Sequence, residues 1–492
     1  MTDNYQILGL PRNASNDEIR RSFHRLAKRY HPDVNVNIGA QTDFISIQRA
    51  FAVLSDHAQK AEYDKTLPPE IQRRYLTTKT LFSRPALIPL DEPQLLYTLL
   101  QITPPEGGEN TTRTDINICL VLDQSTSMRG IRLEMVKSSA IEITRLLMEE
   151  DIVSIVTFAD RANVLLPATF KPNERIIAAK IQTIETNGGT EIFQGLQAAF
   201  GQVKTHLSPR RTNHIVLITD GRTYGDEAAC LNLANEMAEL GISVNVIGIG
   251  EDWNDEFADE LARITGGSSE YLSRPDHLKQ ILQNKVLHFT QIYADDVKLH
   301  FDSNQTAIVR YAMRVSPEAS KMPVDSPIPL GSIANTPPTT ILLELELDPI
   351  GRETSKVDLI SGYFTGEIPN QYPATFLERV NISLPVKDST VKSQPSPDLV
   401  NAVSRLTLFR MQEKIQREIQ SKNTENAVLQ LQKLATNLLS VAEYEFAQEV
   451  LNEAEHVRVN QDFSKQGKKQ IKYGTRALMI SAINRTTDTL IK

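Results

Sequence analysis

Cysteine is nearly absent: the 492 residues contain only Cys119 and Cys230. Two widely separated thiols predict a reducing compartment and buried side chains, with one disulfide left open by sequence alone. No run of about 18 apolar residues occurs, so no membrane span is expected. The opening MTDNYQILGL lacks a charged segment followed by an apolar core, so no signal peptide is expected either, and a cytoplasmic chain is the simplest reading. Basic charge is not in excess, 53 Lys and Arg standing against 61 acids, which argues against nucleic acid as the main partner. Catalytic signatures are missing too. There is no G-x-x-x-x-G-K-[ST] loop and no G-x-S-x-G elbow, and no His lies near Ser125 or Ser127 in sequence. Ser125 stands where an Asp-x-Asp phosphoryl-transfer pair would need its second acid. The expectation is a non-enzyme.

What is present begins with His31-Pro32-Asp33, set between two amphipathic segments. The first, Asp17–Tyr30, follows a capping-box pattern of Ser15 and Glu18. Ile19, Phe23, Leu26, Ala27 and Tyr30 form one helical stripe, while Arg20, Arg21, Arg25, Lys28 and Arg29 fall largely outside it. Pro32 stops the helix. A second stripe, Phe44, Ile47, Phe51 and Leu54, predicts an antiparallel partner, with His31 and Asp33 at the exposed end of the hairpin.

Residues 3–65, from DNYQILGL through HPD and Val34-Asn35 to Tyr63-Asp64, resemble a J domain of the DnaJ-type co-chaperones. The resemblance implies that His31, Pro32 and Asp33, with the basic residues Arg20, Arg21, Arg25, Lys28 and Arg29, dock on a DnaK-type chaperone and stimulate its ATP hydrolysis. Catalysis would then belong to the partner.

From about residue 113 short apolar runs alternate with helical stretches: Ile116–Leu122, Ile152–Phe158, His214–Thr219 and Ile242–Ile249, separated by Arg132–Leu147, Ile192–Val203, Asp226–Leu240 and Asp255–Ile264. Continuous apolar strands between helices predict a doubly wound parallel sheet, whose ligands bind beyond the carboxyl ends of the strands. Asp123, Ser125, Ser127, Thr190 and Asp220 fall there, an all-oxygen set suited to Mg²⁺. Asp-x-Ser-x-Ser, Gly188-Gly189-Thr190 and Thr219-Asp220-Gly221 resemble the three metal loops of a von Willebrand factor type A (VWA) domain. That resemblance implies a metal-ion-dependent adhesion site, with Mn²⁺ or Ca²⁺ as alternative ions. Ser125, Ser127 and Thr190 would offer hydroxyls to the metal, and Asp123 and Asp220 would act mostly through bound water. An acidic group of a bound protein client would complete the shell. Tyr224, Asp226 and Glu251 are read as loop polarity.

The alternating stretches Gln94–Ile102, Val297–Phe301, Ala307–Val315, Thr340–Leu347 and Val357–Phe364 predict an antiparallel sandwich built from both sides of the VWA domain. Lys392–Pro397 reads as a linker, and the segments after it as a small helical bundle without a tetratricopeptide pattern. The expected division is a J domain at 1–67, joining strands at 68–112, a VWA domain at 113–285, a β-sandwich at 286–390, a linker at 391–397 and a helical region at 398–492. The function this predicts is an adaptor that selects a client through its metal and delivers it to a DnaK-type chaperone. The alternative is a metal-dependent scaffold for which chaperone recruitment is secondary.

Overall fold

The computed structural model describes residues 3–32, 40–68, 74–105, 113–170, 173–208, 210–221, 225–272, 275–302, 306–371, 373–388 and 394–487. Four helices come first: α1 (Asn4–Leu8), α2 (Asn16–Tyr30), α3 (Ala40–Ser55) and α4 (His57–Thr66). Ser15 and Glu18 form the expected capping box at the start of α2, and Lys28 and Arg29 in its last turn complement the helix dipole. Its apolar stripe closes on α3 and α1 through Tyr5, Leu8, Ile19, Leu26, Ile47 and Leu54. Phe23 stacks on Phe51 with ring centroids 4.0 Å apart.

Two strands follow, β1 (Thr77–Phe82) and β2 (Gln94–Thr103). The α/β unit then runs β3 (Asp115–Asp123), α5 (Ile131–Thr144), β4 (Ile152–Phe158), β5 (Ala162–Phe170), α6 (Glu174–Gln182), α7 (Ile192–Lys204), β6 (Arg211–Thr219), α8 (Glu227–Glu239), β7 (Ile242–Ile249), α9 (Asp255–Thr265), β8 (Ser269–Leu272) and α10 (Leu278–Thr290). Its sheet has the order β5-β4-β3-β6-β7-β8. The neighbours from β4 to β8 are parallel, but β5 pairs antiparallel with β4. The sheet is therefore mixed rather than wholly parallel, because a tight hairpin returns the chain along one edge. Central strand β3 is buried on both faces, which is why it reads as a continuous apolar run. Ile116, Ile118, Leu120 and Leu122 meet α5 and α10 on one side. Cys119 and Val121 meet α7, α8 and α9 on the other.

Strands β9 (Ile292–Phe301), β10 (Ala307–Ser316), β11 (Ser320–Met322), β12 (Ile328–Ala334), β13 (Thr339–Leu347), β14 (Lys356–Glu367) and β15 (Thr375–Pro385) complete two antiparallel sheets, β1-β2-β13-β10-β11 and β12-β9-β14-β15. They share one apolar interior, so strands from both sides of the α/β unit do build a sandwich. The last four helices are α11 (Pro397–Gln420), α12 (Thr424–Ser440), α13 (Tyr444–Asn460) and α14 (Lys465–Thr487). Leu399, Ala402, Leu406 and Phe409 of α11 cover the outer face of the first sandwich sheet at Leu99, Met313 and Leu342.

Candidate metal and chaperone-docking sites

The first loop of the candidate metal site leaves β3 at Asp123, a fully buried carboxylate. Its Oδ1 accepts the Ser125 amide (2.8 Å) and its Oδ2 accepts the Thr219 hydroxyl (2.6 Å), so β6 fixes its orientation. Burial pushes Asp123 up to about 6, against the hydrogen bonds from Ser125 and Thr219 and with Asp220 adding to the rise. Ser125 Oγ and Ser127 Oγ lie 3.0 Å apart, and Ser127 Oγ donates to Asp220 Oδ1 at 2.5 Å. The second loop is tied to the first by the Asn187 amide on the Gln124 carbonyl (2.8 Å) and the Thr126 hydroxyl on the Gly188 carbonyl (3.2 Å). Gly188 has φ +64°, and a Cβ there would lie 2.3 Å from the Asp160 carboxylate, so only glycine fits. Thr190 packs against the third loop, its Oγ1 2.9 Å from where a Gly221 Cβ would stand.

Asp123, Ser125, Ser127, Thr190 and Asp220 thus come together from three loops at the carboxyl edge of β3 and β6. Among the described residues no group of three or more His, Cys, Asp and Glu side chains is gathered for a metal. The donors here are two carboxylates and three hydroxyls, which suits a hard cation that keeps part of its water shell.

Sequence reasoning passed over Asp160 and Arg132, and named Thr219 in its loop without giving it a role. Thr219 and Asp160 hold the loops, and Arg132 reaches from α5 to Asp220 Oδ2 at 2.5 Å. Spacing carries no signal for Arg132, whose partner is 88 residues away. Asp226 accepts the Phe193 amide (2.7 Å) at the start of α7, a structural role, and Glu251 offers its carbonyl to Lys469. Tyr224 lies outside the described residues. Cys119 and Cys230 are free, buried thiols. Burial pushes Cys119 up to about 12, only weakly opposed by Ser154.

In the hairpin His31 is half-buried and sets its ring edge-on to Phe44 at 5.2 Å, and Pro32 is exposed. Asp33 lies outside the described residues. Arg20 and Arg21 are exposed. Arg25, Lys28 and Arg29 instead face acids of the chain's own body, Asp296, Glu239 and Glu367. Three of the five basic residues expected to await a partner are thus already paired.

Helical hairpin and mixed α/β sheet together define a J domain joined to a VWA domain. Residues 3–64 match the profile of the DnaJ domain and 117–284 that of the von Willebrand factor type A domain. Residues 397–481 match the Sll0103-like, C-terminal alpha-helical domain. Among individual proteins, sll0103 of Synechocystis sp. is 26% identical over 345 residues, covering 67% of this chain and 80% of that one. Chaperone protein DnaJ of Gloeothece citriformis is 51% identical over 63 residues, which are 13% of this chain and 17% of that chaperone. In three dimensions the chain is similar to a von Willebrand factor type A protein from Catenulispora acidiphila, with a TM-score of 0.66 at 13% identity over 83% of this chain and 98% of that one. Among the described residues no helix is long and apolar enough to cross a membrane.

Proposed function

We propose that this chain is a J-domain co-chaperone whose VWA domain selects the client. The observation that carries the reading is the joining, in one chain, of a DnaJ-domain match at 3–64 to a VWA match at 117–284. His31, Pro32 and Asp33, with the basic residues of α2, engage a DnaK-type chaperone and stimulate its ATPase. The matched segment is 17% of the DnaJ relative, so the likeness to that chaperone stops at the J domain. In this reading client choice falls to another part of this chain, and the five-oxygen edge of the VWA sheet is the candidate for it.

At that edge Ser125, Ser127 and Thr190 would hold a divalent ion, Mg²⁺ by donor chemistry, with Asp123 and Asp220 acting through water. When bound, such an ion would supply a Lewis-acidic position for a carboxylate of the client. The chain's own residues do the rest: Thr219 and the Ser125 amide aim Asp123, and Ser127 aims Asp220. No bond-making role is proposed for these residues, and the proposed setting is the cytoplasm, alongside a DnaK-type partner.

His31→Gln is expected to abolish stimulation of a purified DnaK-type ATPase while Mg²⁺ binding, read by calorimetry, stays intact. Undiminished stimulation by that variant would overturn the co-chaperone reading.

A further inference from the structure

The basic face of α2 lies on an acidic rim made by three separate elements. Arg29 Nη1 pairs with Glu367 Oε1 of β14 at 2.7 Å, the two side chains only 4% and 8% exposed. Arg25 Nη1 reaches Asp296 Oδ2 of β9 at 3.6 Å, and Lys28 Nζ reaches Glu239 Oε2 of α8 at 3.3 Å. The guanidinium of Arg29 also lies against Gly241, where a Cβ would stand 3.2 Å from Nη1. Further along, the Thr375 hydroxyl of β15 donates to the Gln6 carbonyl of α1. The apolar interior of the hairpin closes on itself, separate from the sandwich interior. Charge and hydrogen bonds therefore supply the grip between J domain and body. Such a contact can open without exposing a core, and added salt weakens its exposed pairs.

We propose that the acidic rim of Glu239, Asp296 and Glu367 is an intramolecular docking surface that masks the chaperone-binding face of α2. The inference rests on the co-chaperone reading and adds its regulation. While the J domain lies on the rim, Arg25, Lys28 and Arg29 are unavailable, and an acidic surface of the chaperone must compete for the same cations. Apparent affinity for the chaperone is then lowered by the fraction of molecules in the masked state.

The test uses the full chain. Glu367→Gln with Asp296→Asn leaves the Lys28–Glu239 pair as a reporter, because a carbodiimide converts that contact into an amide identifiable by mass spectrometry. Wild type should give the 28–239 link, and the double variant should lose most of it. The double variant should also need about tenfold less chain for half-maximal stimulation of a DnaK-type ATPase, the gain expected if about nine molecules in ten are masked. Glu239→Lys, at a solvent-exposed site that does not endanger folding, should shift stimulation in the same direction. Equal half-maximal concentrations for wild type and both variants, with wild type stimulating normally, would overturn the mask and leave the co-chaperone reading standing. Loss of the link with no stimulation by any version would overturn the co-chaperone reading, and the regulatory role with it.

Discussion

Asp123 and His214 are both buried in the α/β sheet, and their surroundings treat charge differently. Asp123 keeps two hydrogen-bond donors on its carboxylate, so its oxygens are held in fixed directions. His214 shares hydrogen bonds with the Ser243 and Thr212 hydroxyls at 2.7 and 2.8 Å and stacks on Phe289 at 3.7 Å. Burial, with His288 and Lys285 adding repulsion, lowers it to about 3. The unfolded chain takes up this proton near pH 6.5 and the folded one refuses it, so the stability due to neutral His214 is lost as pH falls below about 6.5. Between pH 7 and pH 5 its share is about 2 kcal/mol. Denaturant midpoints at the two pH values should therefore fall further for wild type than for His214→Gln. An identical drop in both would show that the histidine is not held neutral.

At the scale of elements, α14 is fastened to α9 by charge. Arg476 grips both oxygens of Asp259 at 2.7 and 2.5 Å, and Lys472 adds a contact at 2.8 Å. Burial pushes Asp259 up, but the two cations outweigh it and hold the carboxyl far below the usual range. Asp259→Ala would leave Arg476, only 12% exposed, without its carboxylate. The expected cost is about 2–4 kcal/mol, read as a lower unfolding midpoint and faster amide exchange in α14; unchanged exchange there would contradict the clamp. The clamp also reaches toward the candidate metal edge. Lys469 donates to the Trp253 carbonyl at 2.7 Å, and the same β7–α9 loop begins at Gly250, beside the Arg132 guanidinium that reaches Asp220. Local pattern revealed elements like β3, where burial on both faces leaves one apolar run, and α2, where cap and stripe agree. It assigned no element to β5, a mostly half-buried or exposed edge strand that carries Pro167. It could not reveal that the polar face of α2 is covered, because Arg29 and Glu367 are 338 residues apart and neither segment is unusual by itself. The three loops of the candidate metal site could be picked out because each is a short motif at a strand or helix end. Their ties through Asp160, Thr219 and Arg132 could not, since those depend on how the strands are ordered.

Across the whole molecule the two proposed ends are far apart. Asp123 and Asp220 follow the carboxyl ends of β3 and β6. The J domain meets Glu239 and Gly241, at the opposite end of the parallel strands, just before β7. A client gripped at the metal edge and a chaperone docked at the J domain would not collide, which is what an adaptor requires. The central claim is that the metal edge chooses the client independently of the chaperone end. It is tested by capturing partners with the full chain as wild type, Asp123→Ala and His31→Gln, each with and without EDTA, and identifying the bound proteins. The account predicts that EDTA and Asp123→Ala strip the same specific set, chaperone aside, while His31→Gln retains it. A set unchanged by chelation and by Asp123→Ala would contradict it.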